Sequence, residues 1–244
     1  MASGARPNVV IIMTDQQRAD QSAREGFELD TTPFLDDLAR SGTWFNRAYT
    51  SVPACGPARV SMLTGRYPNA TRVRTNHNVE DATYCEDLYD VMRNAGYATA
   101  LCGKNHSHIP ADRTDHYFQV GHGGGSGEDR TEDEKGFDEY LGNLHHRADA
   151  GPAPFPLETQ CPYRAVSSAT KWIESLDKDP FFLWLSFPEP HNPYQACEPY
   201  FSMFPPETLP PTLSGKEARR IGILGLRGAD SKGTSQLSGN AEAD

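Results

Sequence analysis

At 244 residues the chain is long enough to bury a core and fits a single domain or a compact pair of lobes. Its formal net charge of -10 argues against nucleic acid or an anionic membrane as partner, so an anionic small substrate would need a local positive site. The five cysteines (55, 85, 102, 161 and 197) form no close pair and no Cys-x-x-Cys, so neither a zinc knuckle nor a disulfide framework is indicated, and the odd count fits reduced thiols.

The apolar run after Pro7 is too short for a signal-peptide core with flanks or for a bilayer span, so the chain reads as cytoplasmic. Residues 9–13, Val-Val-Ile-Ile-Met, predict a strand buried on both faces of a parallel sheet. That strand ends at Thr14-Asp15-Gln16-Gln17. Open α/β sheets collect ligands at such ends, so Asp15 is placed for a metal or substrate, or equally for a turn cap. Residues 31–42 predict a helix with a threonine N-cap, Pro33 in its first position, Gly42 past its end and a core face of Phe34, Leu35, Leu38 and Ala39.

Residues 43–50 alternate enough to predict a strand leading to Cys55. The next helix, opened by Pro57 and stopped by Gly65, puts Cys55 among unpaired N–H groups at the positive end of a dipole, with Arg59 about one turn on. A thiolate, phosphate or sulfate suits that place; a buried cysteine in a turn is the plain structural alternative.

Residues 84–95 predict a helix through Leu88, Val91, Met92 and Ala95, stopped by Gly96, and residues 97–102 a short apolar strand. The strand ends at Gly103-Lys104-Asn105-His106-Ser107-His108, which reads as a solvated turn or, for the histidine pair, a modest metal site. Residues 109–160 carry little pattern. The glycine run at 121–127 lacks the phosphate-loop signature and predicts an exposed loop or lid. Residues 163–176 predict a helix with Val166, Ala169, Trp172, Ile173 and Leu176 on one face, and residues 181–187 a buried strand that delivers Pro190-His191. After Pro211 the pattern fails, so residues 1–211 read as one catalytic unit and 212–244 as a disordered or aberrant tail.

Strand ends thus offer Asp15, Cys55 with Arg59, Lys104 with His106, and His191. Cleaving a sulfate or phosphate ester needs this mixture: cations neutralise the anion, a nucleophile attacks and an acid protonates the leaving alkoxide. A thiol phosphatase is disfavoured because its Cys-x5-Arg loop is absent.

The chain resembles the sulfatases over most of residues 7–200. The resemblance rests on Pro7-Asn-Val-Val-Ile-Ile-Met-Thr-Asp15-Gln16, Thr32-Pro-Phe-Leu-Asp-Asp-Leu-Ala39, Cys55-Gly-Pro-Ala-Arg59, Leu63-Thr-Gly-Arg-Tyr-Pro68, Ala95-Gly-Tyr-Ala-Thr-Ala-Leu-Cys-Gly-Lys104, Gly136-Phe-Asp-Glu139 and Pro190-His191. It implies an alkaline phosphatase-like α/β fold with a largely parallel central sheet and helices on both faces. It also implies formylglycine made from Cys55 by a formylglycine-generating or anaerobic sulfatase-maturing enzyme, with calcium or another divalent cation held by Asp15, Gln16 and the modified residue. Arg59 would hold the aldehyde hydrate and metal site; Lys104, His106 and His191 would bind sulfate and assist the leaving group. Asn76 would contact the transferred group or serve as a turn residue. The substrate would be a small-molecule or glycan sulfate ester.

Asp15-Gln16 replaces the paired aspartates of many sulfatases, as in the branch with choline sulfatase and phosphonate monoester hydrolases, and Asn105 replaces a common tryptophan. Nothing like Ser-Asp-His-Gly follows His191. The expectations are therefore a sulfatase whose metal site is completed elsewhere, a truncated and inert sulfatase-like fragment with an incomplete C-terminal region, or a phosphonate or phosphate ester hydrolase of the same superfamily.

Overall fold

The computed structural model describes residues 6–125 and 128–211. The chain divides into two compact units, Met1–Met203 and Phe204–Asp244. In the second, residues 204–211 contain a 3-10 turn at Pro206–Thr208; the expected tail, 212–244, lies outside the described residues.

The first unit runs β1 (Val9–Met13), α1 (Pro33–Ser41), α2 (Cys55–Thr64), α3 (Pro68–Thr71), α4 (Leu88–Asn94), β2 (Ala98–Gly103), β3 (His116–Gly121), β4 (Gly124–Gly125), α5 (Glu132–Leu144), α6 (Cys161–Ser175) and β5 (Phe181–Ser186). The strands form one sheet in the order β1-β5-β2-β3-β4, parallel except for the β3–β4 pair. Strand alternation sorts its two faces. Ala100, Cys102, Leu183 and Leu185 pack under α5 and α6 with Phe137, Ala165, Ala169 and Trp172, whereas Leu101, Phe182 and Trp184 pack with Leu63 and Tyr89 of α2 and α4. The expected parallel α/β sheet with helices on both faces is therefore present. Among the described residues no helix is long and apolar enough to cross a membrane.

Several local expectations are corrected. β1 is an edge strand with one covered face, so Val10 and Ile12 are exposed and the strand is not buried on both sides. In α1, Phe34 is 87% exposed and Leu35 and Leu38 are exposed too, so of the expected core face only Ala39 is buried, beside Asp36. Thr32 holds the cap position of that helix, but its hydroxyl faces the Asp36 carboxylate rather than a backbone N–H. Residues 43–50 form no strand. The helix expected over 84–95 starts later, at a capping box in which Asp87 and Asp90 each accept the other's backbone N–H.

The stretch 109–160, which carries little pattern, holds β3, β4 and α5, and the glycine run expected as a loop or lid contributes β4 from Gly124–Gly125. α5 opens on a reciprocal Thr131–Glu134 box and buries only Phe137, Asp138 and Leu141, so its acidic outer face masks the apolar period. The glycines at 124 and 125 belong to a close-packed hairpin: a Cβ on Gly125 would meet the Arg164 guanidinium at 2.3 Å.

Candidate active site

The site follows from how three parallel strands end. Met13 of β1 and Gly103 of β2 both stand opposite Ser186 of β5, so the residues beyond them emerge side by side at one sheet edge. The backbone continues this pairing: Phe187 N–H donates to Met13, Asp15 N–H to Glu189 and Lys104 N–H to Ser186. Gly103 has φ +107, and a Cβ there would lie 1.8 Å from the Ser186 carbonyl oxygen, so only glycine lets β2 release Lys104 at this level.

α2 supplies the other wall. It begins at Cys55, two residues earlier than expected, so Pro57 is its third residue and its missing N–H still falls among the helix's four orphan positions. Gly65 takes the expected left-handed stop at φ +65. The terminus is not an open row of N–H groups: Gly56 N–H donates to Asn76 Oδ1 at 2.9 Å, Pro57 has none, and Ala58 N–H bonds Ala54. Asn76 therefore caps α2 from a separate loop, with its side-chain NH2 available to a ligand.

Arg59, 3% exposed, staples the wall to the strand ends. Its Nη1 donates to Ser186 Oγ (2.7 Å) and to the Lys104 and Asn105 carbonyls (2.6 and 3.2 Å), its Nη2 lies 3.3 Å from Asp15 Oδ2, and its guanidinium sits over Trp184. Lys104 is equally buried and bonds Asp15 Oδ2, which overturns a solvated turn. Cys55 Sγ faces Asp15 Oδ1 at 3.4 Å. Burial alone would raise the Asp15 carboxyl, but the hydrogen bond and charge of Lys104, with Arg59 and Cys55, hold it below its ordinary value. Burial likewise lowers Arg59, against the pull of Asp15 and Cys55.

Asp15, Gln16, Cys55, Arg59, Asn76 and His191 all line one cleft of about 1170 Å3. Gln16 stands there at φ 62, in the left-handed region that side chains other than glycine rarely adopt. His191 Nδ1 donates to the Asn192 carbonyl at 2.6 Å, which leaves Nε2 for a ligand. His106 Nε2 lies 3.4 Å from the Asn76 carbonyl, and burial together with the charge of Lys104 lowers its pKa. His108 does not join it: its ring is buried on the Asp87 carboxylate at 3.0 Å, so the expected histidine pair forms no site.

His122 is the residue that sequence reasoning missed. It follows β3, bonds Lys104 Nζ and stacks on His191 with ring centroids 3.7 Å apart. Burial, with Lys104 and His191 beside it, pushes its imidazole down to about 3. The alternation Tyr117-Phe-Gln-Val120 just before it was a strand signal; the glycine run hid it.

The described residues do not by themselves fit a divalent cation. A hard cation takes about six to eight oxygens, yet Asp15 Oδ2 already receives Lys104 and Arg59 and its Oδ1 faces Cys55. Among the described residues no group of three or more His, Cys, Asp or Glu side chains is arranged to hold a metal. Cys55 is half-buried, lines the cleft and opens α2, with its Sγ against the Asp15 carboxylate.

Beneath the site, burial pushes the Glu189 carboxyl up to about 7 from 4.5, and its Oε2 has no hydrogen-bond partner among the described residues. Below pH 4.5 the group is neutral in folded and unfolded chains alike. Between pH 4.5 and about 7 the unfolded chain has released a proton that the folded chain holds, so stability falls across that window, by roughly 3 kcal/mol in full, and levels off above it. Glu189→Gln is expected to melt about 6–12 °C above the parent at pH 8.5 and level with it at pH 4.5. Equal melting of the two chains at both pH values would refute this.

The family model described as Sulfatase matches residues 7–210. An arylsulfatase of Clostridium perfringens is 30% identical over 242 residues, covering 88% of this chain and 50% of that protein. A choline-sulfatase of Rhizobium meliloti is 29% identical over 215 residues, covering 82% and 41%. The phosphonate monoester hydrolase of Agrobacterium radiobacter shares the fold, with a TM-score of 0.66 at 22% identity over 88% of this chain and 48% of that one. The chain spans about half the length of the curated relatives it matches.

Proposed function

Because the chain belongs to the sulfatase family, we propose that it carries the nucleophile-bearing portion of a hydrolase acting on sulfate monoesters. The observation that supports this most directly is Cys55 at the first residue of α2, facing Asp15 in a cleft bounded by Arg59 and closely backed by Lys104. Oxidised to formylglycine by a maturation enzyme, Cys55 would supply an oxygen nucleophile in hydrated form. The rest of the chemistry falls to this chain's own residues. Lys104 and the Asn76 amide take the oxygens of the anion, and Arg59 holds the strand ends and Asp15 at fixed spacing. His191, with Nδ1 tied to Asn192, can give the departing alkoxide a proton from Nε2 when the ring carries both protons, and His106 stands beside Asn76 to bind the ester.

The substrate class is a small-molecule or glycan sulfate ester, in keeping with the arylsulfatase and choline-sulfatase relatives. Calcium, the family's expected cation, needs oxygen ligands beyond Asp15 and Gln16, and no step is assigned to it. Maturation and catalysis in the cytoplasm belong to the same proposal. A second reading, binding of the anionic ester without turnover, is favoured by that shortage of cation ligands.

The test is sulfate release from an aryl sulfate by the chain produced with a maturation enzyme, with calcium or chelator, beside a phosphate and a phosphonate monoester. Release from the aryl sulfate in preference to the other two is expected, and the calcium and chelator arms report whether a cation takes part. Saturable binding without release would establish the second reading, and faster cleavage of the phosphonate would overturn the sulfate assignment. Mass analysis of the tryptic peptide Ala48–Arg59 reports the oxidation of Cys55 separately.

A further inference from the structure

We propose that His122 is a positioning residue that seats Lys104 and His191 for the anion, an inference that rests on the ester-hydrolase reading of this site. His122 is the first residue beyond β3, so the sheet delivers it to the same edge as Lys104. Its Nε2 bonds Lys104 Nζ, and its ring lies on that of His191 at 3.7 Å between centroids and 25° between planes.

The donor count decides the roles. An ammonium only donates, so His122 Nε2 accepts and the ring of a neutral His122 carries its proton on Nδ1. Nδ1 is buried without a partner among the described residues, so Lys104 alone selects this tautomer. Lys104 then has one N–H on Asp15, one on His122 and a third for an anion oxygen. Two fixed acceptors orient that third donor, which a free lysine on its four-carbon stem would not manage. On its other side the His122 ring blocks rotation of His191, whose Nδ1 is already tied to Asn192. One side chain thus sets both the group that takes the anion's charge and a group offered to the leaving oxygen.

The two contacts are separable by substitution. His122→Gln keeps an acceptor for Lys104 but cannot stack; His122→Phe stacks but cannot accept. With an aryl sulfate, His122→Phe is expected to raise KM about tenfold with a smaller change in kcat, the size of one hydrogen bond to a charged group. His122→Gln is expected to lower kcat about tenfold with KM near the parent's, and His122→Ala to show both losses. Equal losses in kcat and KM for all three, in step with lowered Tm, would mean a merely structural residue and overturn the inference.

Nitrogen NMR of the whole chain labelled at histidine gives an arm independent of turnover. The parent should show His122 as the Nδ1–H tautomer with a bare Nε2, and Lys104→Met should release that tautomer. An Nε2–H ring in the parent, or no change in Lys104→Met, would also overturn the proposal. If the parent hydrolyses no ester, the functional reading fails, while this spectrum still decides the placement of Lys104 by His122.

Discussion

Cys55→Ala is expected to lower kcat/KM for sulfate-ester hydrolysis on the order of 10^4-fold or more while leaving the fold nearly unchanged. The two effects separate because of where the side chain sits. Cys55 Sγ is half-buried and makes one weak polar contact, 3.4 Å to Asp15 Oδ1, so its loss removes about 1 kcal/mol or less, a few degrees of Tm. At the head of α2, however, it is the side chain best placed to put a nucleophilic atom between Asp15 and the rest of the cleft. Cys55→Ser makes the sharper comparison. Serine restores one oxygen nucleophile but offers no second oxygen with which to expel a bound group, so multiple turnover should not return. Hydrolysis by Cys55→Ser at the parent rate would remove Cys55 from the chemistry, and intact-mass spectra taken during the reaction would show whether a sulfate adduct is retained.

Arg59→Met is expected to cost the fold about 3–5 kcal/mol, a fall in Tm of about 6–20 °C, in addition to its effect on activity. The guanidinium is 3% exposed and its donors serve the Lys104 and Asn105 carbonyls, Ser186 Oγ and Asp15. Removing it strands these acceptors away from water and leaves Asp15 with Lys104 as its remaining cation, a far larger loss than that of an exposed ion pair. Arg59→Lys should recover only a fraction, because an ammonium cannot reach acceptors spread across a planar fork. Combining Arg59→Met with Asp15→Asn should be less destabilising than the sum of the two, by about 1–3 kcal/mol, since each single change leaves the other group unpaired. Additivity in thermal melts would show that the pair is not coupled.

The elements legible in the sequence were those whose signal is local. Val9–Met13, the apolar strand before Lys104, Trp172 with its helical partners and the run at 181–186 declared themselves by period and by flanking glycine or proline, and all are present. Asp15, Lys104 and His191 were legible as residues beyond strands, and Cys55 with Arg59 one turn on as part of a helix start, because those placements are local. α5 was not, because its buried residues are few among acidic ones. The exposed side of β1 was not either, because an apolar strand looks the same at an edge as in the centre of a sheet.

By itself, then, the sequence determined that Asp15, Lys104 and His191 follow strands and that a cysteine stands at a helix start, because periodicity, capping and turn residues act within a few positions of the chain. Only the tertiary structure decided who stands beside whom. The order β1-β5-β2-β3 brings Asp15, Lys104 and His122 to one edge, sends Arg59 inward to a serine 127 residues away, and turns a glycine-flanked histidine into a neighbour of two site residues. The reason is physical: strand order and close approach are set by the burial of both sheet faces and by the pairing of buried polar groups across long stretches of chain, and neither leaves a mark on the local pattern.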